Sequence, residues 1–366
     1  MKYKISDIAE INKKNINKNY KGKVFYLDTS SVTNDFFNCP KIYTSLKEAP
    51  IRARRLAEDG DTIISTVRPA MRHVGYISQN LNRVYSTGFA IISPKKSKVN
   101  PFYLYLVLSS KEITNLLQSI AVGSTSAYPS IKPRDIGNLI FDFPSLYIQE
   151  KIASIMQQII LKIKMNNQIN DNLLDIAQNI YHRILFSSQI TKTNLRSFAT
   201  VIMGQSPSSK TYNENKIGIP LLNGAADFRN GIHPSKWTTD PKIIVNKGAY
   251  IFGVRATIGL TTKVSKPYAI GRGTGSAIPK DVNNEEILYF ILNDMFKKFE
   301  QTESGSVYIN ISKNDFQNYT FNIPDKNDLL FFHEKVKPIM DRIYINKKEN
   351  KILQAIKAAL SNKYFD

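Results

Sequence analysis

The sequence predicts an α+β protein in which two globular domains alternate with two long helices, the helices packing antiparallel as a coiled-coil spacer and the whole forming an internal pseudo-two-fold repeat. Three observations predict it. GSTSAYPSIKPRDIGNLIFDFPS (residues 123–145) recurs with changed words as GSVYINISKNDFQNYTFNIPD (residues 305–325). The residues before each copy also match. After each copy comes a stretch of about 40 residues whose apolar positions step mostly by three and four, the period of an amphipathic helix that packs on another helix.

Taken in chain order, GDTIISTVRPAMRHVGYIS (residues 60–78) corresponds to GAYIFGVRATIGLTTKV (residues 248–264). Each has a glycine, an apolar strand-like run, an arginine (Arg68, Arg255) and a second short strand. VYSTGFAIISPK and YAIGRGTGSAIPK follow, then two aromatic, leucine-rich helical stretches, PFYLYLVLSSKEITNLLQ and EEILYFILNDMFKKFEQ. The closing copies place Tyr128 and Tyr308 three residues before Ile131 and Ile311. Asp135-Ile136 and Asp315-Phe316, an alternating run, and Pro144 and Pro324 come next. Tyrosines shared by both copies point to packing within each domain.

Beyond those prolines, residues 145–187 lack both Pro and Gly, and residues 325–364 contain only Pro338, which predicts a kink or a later helix start. At a constant offset of 180, Ile152 matches Phe332, Ile159 Ile339, Ile163 Ile343, Leu173 Leu353, Ile176 Ile356 and Ile180 Leu360. The same offset pairs Asn166 with Asn346 and Asn170 with Asn350. If the helices lie antiparallel about a dyad near residue 168, Asn166 faces Asn350 and Asn170 faces Asn346, polar seam contacts that set register. Such helices make a rod of roughly 60 Å at ~1.5 Å per residue. The expected boundaries are 1–143 for the first globular domain, 144–186 for the first helix, 187–323 for the second domain and 324–366 for the second helix.

The chain has 366 residues, 42% of them hydrophobic, enough for two cores and too many for a disordered chain. No run of eighteen apolar residues occurs and Met1-Lys-Tyr-Lys opens without a signal-peptide pattern, so the expected location is the cytoplasm, with no membrane partner. Cys39 is the single cysteine, which rules out an intrachain disulfide, and His73, His182, His233 and His333 make no metal-ligand spacing.

The net charge of +20 is unevenly distributed. Residues 1–143 carry +10 (21 Lys/Arg against 11 Asp/Glu) and residues 187–323 carry +6 (16 against 10). The helical segments carry +1 and +3. Two basic domains call for a polyanion, and nucleic acid leads the list. Catalytic equipment is missing. GRGTGS (271–276) fits neither the dinucleotide nor the P-loop spacing, and Asp35, Glu58, Asp59 and Asp61 lack the paired-strand setting of a nuclease centre. No Asn-Pro-Pro-aromatic methyltransferase motif occurs.

The two helical stretches, FPSLYIQEKIASIMQQIILKIKMNNQINDNLLDIAQNIYHRIL and IPDKNDLLFFHEKVKPIMDRIYINKKENKILQAIKAAL, carry a resemblance. So do MGQSPSS followed by IPLLNGAADFRNGIHPSKW, and ISDIAEI near the start. Essentially the whole chain resembles the DNA-specificity subunit of Type I restriction-modification systems, although the first domain has NKKNINKNYKG where a Gly-x-Ser-Pro motif would stand. The resemblance implies two target-recognition domains that each read half of a split duplex DNA site, and a subunit with no catalysis of its own. It also implies two docked methyltransferase subunits and, joined to them, restriction-translocase subunits. Those partners would use S-adenosylmethionine, ATP and Mg, while this chain binds no cofactor or metal.

Base edges and phosphates need Arg, Lys, Asn, aromatic and hydroxyl groups. In the first domain the candidates are Arg52, Arg54, Arg55, Arg68, Arg72, Lys132 and Arg134, with the run from Arg52 to Arg55 the densest. In the second they are Lys210, Tyr212, Asn223, Arg229, Lys236, Trp237, Arg255 and Arg272. Two other readings are open on sequence alone: a helical scaffold that binds acidic proteins without sequence preference, and an autonomous nuclease. Salt-dependent, sequence-selective binding to duplex DNA would separate the first, and Mg-dependent cutting by the chain alone would reveal the second.

Overall fold

The computed structural model describes residues 1–366 apart from 80, 124–128, 230, 255–258, 303–311 and 366. The chain divides into two compact units, Met1–Met165 with Glu349–Asp366, and Asn166–Lys348. Each unit is one globular domain plus a half of each long helix.

The first unit contains strands β1 (Lys2–Lys4), β2 (Ala9–Ile11), β3 (Lys14–Asn15), β4 (Val24–Leu27), β5 (Val32–Thr33), β6 (Phe36–Phe37), β7 (Lys41–Tyr43), β8 (Ala53–Leu56), β9 (Thr62–Ser65), β10 (Val74–Tyr76), β11 (Arg83–Ser86), β12 (Phe89–Pro94) and β13 (Ile140–Asp142). Its short helices are α1 (Ile5–Ile8), α2 (Pro101–Leu108), α3 (Lys111–Gly123) and α4 (Pro133–Gly137), and the chain then enters α5 (Leu146–Ser187). A four-stranded sheet runs β10-β9-β12-β2 and a five-stranded one β3-β8-β11-β4-β7, in which β4 and β11 are parallel. β9 is buried along its whole length, as its apolar run Thr-Ile-Ile-Ser suits. The opening and closing strands β1 and β13 pair with each other. Asn100 caps α2 by accepting from the Tyr103 amide at 3.0 Å, with Pro101 at the first helical position.

The second unit repeats this plan with β14 (Ile190–Asn194), β15 (Ala199–Met203), β16 (Tyr212–Asn213), β17 (Ile219–Leu222), β18 (Lys236–Thr238), β19 (Ile244–Val245), β20 (Tyr250–Gly253), β21 (Thr261–Lys263), β22 (Tyr268–Ile270), β23 (Thr274–Pro279) and β24 (Thr320–Pro324). Its helices are α6 (Leu195–Phe198), α7 (Glu285–Thr302) and α8 (Lys313–Asn318), followed by α9 (Lys326–Phe365). The sheets run β15-β23-β20-β21 and β16-β18-β17-β22-β19, again with one parallel pair, β17 and β22, in the larger.

Within the first unit, Ile152 and Met156 of α5 join a core that also contains Leu104, Phe143 and Phe365, and Leu360 of α9 packs against it. Lys162 and Glu349 form an ion pair at 3.6 Å. Within the second unit, Ala177 and Tyr181 of α5 share a core with Phe332 and Val336 of α9, together with Phe252, Leu288 and Phe316. Early residues of one long helix therefore meet late residues of the other in both units, which is antiparallel pairing. α9 starts at Lys326 and passes through Pro338, so the proline neither delays nor ends it.

Two details depart from the sequence reading. Ile176 and Ile356, placed on the seam by the constant offset, are 49% and 44% exposed, whereas neighbouring Ala177 is fully buried. Ala177 lies seven residues after Asn170 and twenty-one after Met156, all of them buried, so the seam keeps its seven-residue repeat and Ile176 falls one position off it. The stretch PFYLYLVLSSKEITNLLQ is also two helices rather than one. Ser110 Oγ accepts from the Ile113 amide at 3.2 Å, starting α3, and the Arg72 guanidinium donates to the Ser109 carbonyl at 2.7 Å.

Candidate nucleic-acid interface

In the second unit the parallel strands β17 and β22 end side by side, at Leu222 and Ile270, and Asn223 and Gly271 follow them. The Gly271 amide donates to Leu222 O and the Gly273 amide to Asn223 O, at 2.9 and 3.1 Å. The Gly204–Gln205 turn closes over the same ends, with Gly204 donating to Thr274 O and Gln205 to Ile270 O. Glycine is required at this crossing. A Cβ on Gly271 would overlap Asn223 Oδ1, and one on Gly204 would overlap the Gly271 carbonyl.

This knot carries exposed Asn223 and Arg272. Ser206 lies between them, its hydroxyl donating to Asn223 Oδ1 at 3.4 Å and accepting from the Arg272 amide at 3.2 Å. The buried Asp227 carboxylate locks the turn from below, accepting from the Asn223 amide at 2.8 Å and from Ser235 Oγ at 3.1 Å. Lys236 and half-buried Trp237 follow on β18, whose edge partner β16 brings Tyr212. The Lys236 ammonium sits 5.7 Å from the Tyr212 ring. Lys210 is exposed in the 3-10 turn before β16, and Arg229 is exposed just beyond the Asp227 turn. The structure thus gathers Asn223, Lys236, Trp237, Tyr212 and Arg272 about one sheet. Arg255, Tyr128 and Tyr308 lie outside the described residues.

The first unit sorts its candidates into two groups. Arg54 and Arg55 are on β8, next to β11, and exposed Arg52 precedes them, its carbonyl accepting from the Thr87 amide at 2.8 Å. Arg55 donates to Asn15 Oδ1 at 3.1 Å across to β3, and burial pushes its guanidinium below the ordinary arginine range. The other group surrounds a 3-10 turn at Pro69–Met71. Arg68 and Arg72 flank that turn in left-handed backbone conformations with φ of 49° and 54°. Backbone bonds from Arg68 N to Pro129 O and from Ile131 N to Thr66 O bring Lys132 and Arg134 beside it. Lys132 and Arg134 are exposed, and Arg134 is 4.0 Å from Asp135. Arg72 is half-buried and directed inward to Ser109.

On the long helices, Asn166, Asn170, Asn346 and Asn350 are all buried. Asn346 Nδ2 donates to Asn170 Oδ1 at 2.9 Å, while Asn346 Oδ1 has no partner among the described residues. Four groups that matter here were not singled out in the sequence. Ser206 sits in the quoted MGQSPSS and Asp227 in NGAADF, so both were within reach of closer reading. Gln149 and the Glu286–His333 pair were not, because contacts between residues dozens of positions apart leave no local pattern. Gln149 Oε1 accepts from the Asn100 amide at 2.9 Å, anchoring the first domain to α5. Glu286 and His333 meet at 2.5 Å, anchoring α7 to α9. Burial raises the Glu286 carboxyl above its usual range, against the lowering effect of the His333 hydrogen bond.

A family model described as the Type I restriction modification DNA specificity domain matches residues 1–175 and again residues 188–360. The chain belongs to that family. It is a specificity subunit, non-catalytic in itself, that serves DNA target recognition with methyltransferase and restriction subunits as partners. Among relatives of this specificity family, the Type I restriction enzyme HindI specificity subunit of Haemophilus influenzae is 22% identical over 98% of this chain and 97% of its own length. The putative type I restriction enzyme MjaX specificity subunit of Methanocaldococcus jannaschii is 23% identical over 83% of this chain and 77% of its own. A solved Type-I restriction-modification system S subunit from M. genitalium covers 100% of this chain and 96% of its own, with 13% identity and a TM-score of 0.67, a shared fold. Among the described residues no helix is long and apolar enough to cross a membrane, and no group of three or more His, Cys, Asp or Glu side chains gathers as a metal site.

Proposed function

We propose that each globular domain reads one half of a bipartite duplex site and that the long helices fix the unspecific spacer between the halves. The observation that carries this reading is the repeat itself. One fold is built twice, with the same strand order around a parallel pair, while the exposed side chains at the ends of that pair differ. Direct readout needs donors and acceptors held rigidly at a groove edge, and the residues gathered in each domain supply them over a basic field. Arg52, Arg54, Arg68, Lys132 and Arg134 serve the first half-site, with Arg55 and Arg72 bracing them. Lys210, Tyr212, Asn223, Arg229, Lys236, Trp237, Arg255 and Arg272 serve the second.

The four seam asparagines hold the helices in register. Two methyltransferase subunits dock on the assembly and restriction subunits join them, bringing S-adenosylmethionine, ATP and Mg to a cytoplasmic complex. The two domains span 1–143 and 187–323, and the two helical segments 144–186 and 324–366.

The test is a matched seven-residue deletion in both helices, inside Ser154–Ile180 and at the facing positions of α9. Seven residues shorten a helix by ~10 Å, about three base pairs. Methylome sequencing of cells carrying the complex should return both half-sites intact with a spacer about three base pairs shorter. Altered half-sites with an unchanged spacer would overturn the ruler.

A further inference from the structure

The two domains finish the first strand of the parallel pair differently. In the first, β4 is followed by Asp28, whose carboxylate is occupied by its own turn. Asp28 Oδ1 accepts from Ser30 Oγ, Ser31 Oγ and the Ser31 amide at 2.7, 2.9 and 3.0 Å. Burial pushes this carboxyl up, but those hydrogen bonds prevail and hold it below its ordinary value. In the second, β17 is followed by Asn223 and the lock is reversed. Asp227 reaches back to the Asn223 backbone amide, which releases the Asn223 side chain from the turn.

That side chain is oriented by a short relay. The Arg272 amide donates to Ser206 Oγ, and the Ser206 hydroxyl donates to Asn223 Oδ1. Oδ1 lies against the Gly271 backbone, in the space a Cβ there would take, while Asn223 as a residue is exposed. Its Nδ2 has no partner among the described residues. An asparagine amide carries two N–H donors on that nitrogen, so the outward end of Asn223 offers donors and withholds its acceptor.

We infer that Asn223 is a specificity-determining residue of the second domain and reads an acceptor-only base edge, the N7 and O6 of a guanine in the major groove. Ser206 is its positioning residue. Guanine presents two acceptors there, thymine a single acceptor beside its methyl group, adenine an acceptor beside a donor, and cytosine a donor, so a reader with two donors favours guanine. Exposed Arg272, next along the knot, has the same donor-only character. This rests on the bipartite reading proposed above.

The test uses the full methyltransferase complex and duplexes carrying its methylated site. At one position of the second half-site, replacing guanine with 7-deazaguanine, which lacks N7, should weaken binding roughly 10-fold or more. In the Asn223→Ala complex the same replacement should have little effect. Asn223→Asp, which presents acceptors, should lose the guanine preference at that position with the first half-site unchanged. Ser206→Ala should weaken discrimination, and Ser206→Thr, which keeps the hydroxyl, should restore it. If Asn223→Asp and Asn223→Ala keep wild-type discrimination while still binding DNA, the inference is overturned and the bipartite reading stands. If the wild-type complex shows no sequence preference at all, the reading itself fails.

Discussion

The two target domains share a four-stranded order, β7-β4-β11-β8 in one and β18-β17-β22-β19 in the other, with the parallel pair at its centre. They differ at the margins. The fifth strand, β3, lies outside β8 in the first domain, whereas β16 lies outside β18 in the second, on the opposite edge of the sheet. One therefore extends its sheet beside Arg54 and Arg55, the other beside Lys236 and Trp237. The central parallel pair is largely buried, while β7 and β18 beside it carry exposed side chains, which is how one scaffold can serve two recognition tasks.

The domains are also anchored differently. The first holds α5 through the neutral Gln149 amide and the second holds α9 through the Glu286–His333 pair. The largest expected contrast lies just behind those anchors. Phe332, fully buried against Tyr181 and Phe290, occupies in α9 the place that Ile152 occupies in α5. Phe332→Ala should destabilise its unit by about 3–5 kcal/mol, more than Ile152→Ala, at about 2–5 kcal/mol, does in the other. Calorimetry that resolves two unfolding transitions would read the difference, and equal effects would mean that the aromatic cluster adds nothing.

A smaller contrast lies on the seam. Asn170→Ala strips the partner from buried Asn346 and should cost about 1–3 kcal/mol. Glu349→Ala breaks an ion pair whose side chains are 47% and 41% exposed and should cost under about 1 kcal/mol. The double replacement Asn170→Leu with Asn346→Leu should recover the stability, because it removes an acceptor that has no described partner, and should blur the spacer length in methylome data.

Smaller again is a pH effect confined to the second unit. Glu286 has a folded-state pKa above its ordinary value, so folding favours the protonated acid. Its contribution is complete below the ordinary glutamate pKa of about 4.5 and is lost as pH rises through the raised value. Glu286→Gln cannot titrate, so melting curves from pH 4 to 8 should show the variant gaining on wild type as pH rises. A variant that loses ground to wild type as pH rises would reverse the sign. The smallest effect belongs to exposed Arg52: Arg52→Ala should lower the slope of log affinity against log salt by about 1 and leave base preference alone.

Much of the frame was legible. The doubled closing strands, now β13 and β24, and both long helices follow from period and repetition, since the heptad-like steps from Ile152 and Phe332 onward report a buried face directly. The break at Ser109–Ser110 was only half legible: Ser110 is an N-cap residue type, but the Arg72 guanidinium that holds the Ser109 carbonyl comes from 37 positions away. Ile176 misled for another reason: hydrophobicity alone marked it, whereas the seven-residue step from Asn170 lands on the small, buried Ala177. At the interface, residue type alone nominated Asn223 and Arg272, but the Ser206 relay that orients the amide exists only because three separate loops cross at glycines.

The most direct test of two readers on one scaffold is selection of the reconstituted methyltransferase complex on a random duplex library, followed by sequencing of the bound pool. Two readers should select two short blocks of fixed sequence separated by an unspecific gap of fixed length, with Asn223→Asp altering one block only. A single contiguous block, or a pool with no consensus, would contradict that arrangement.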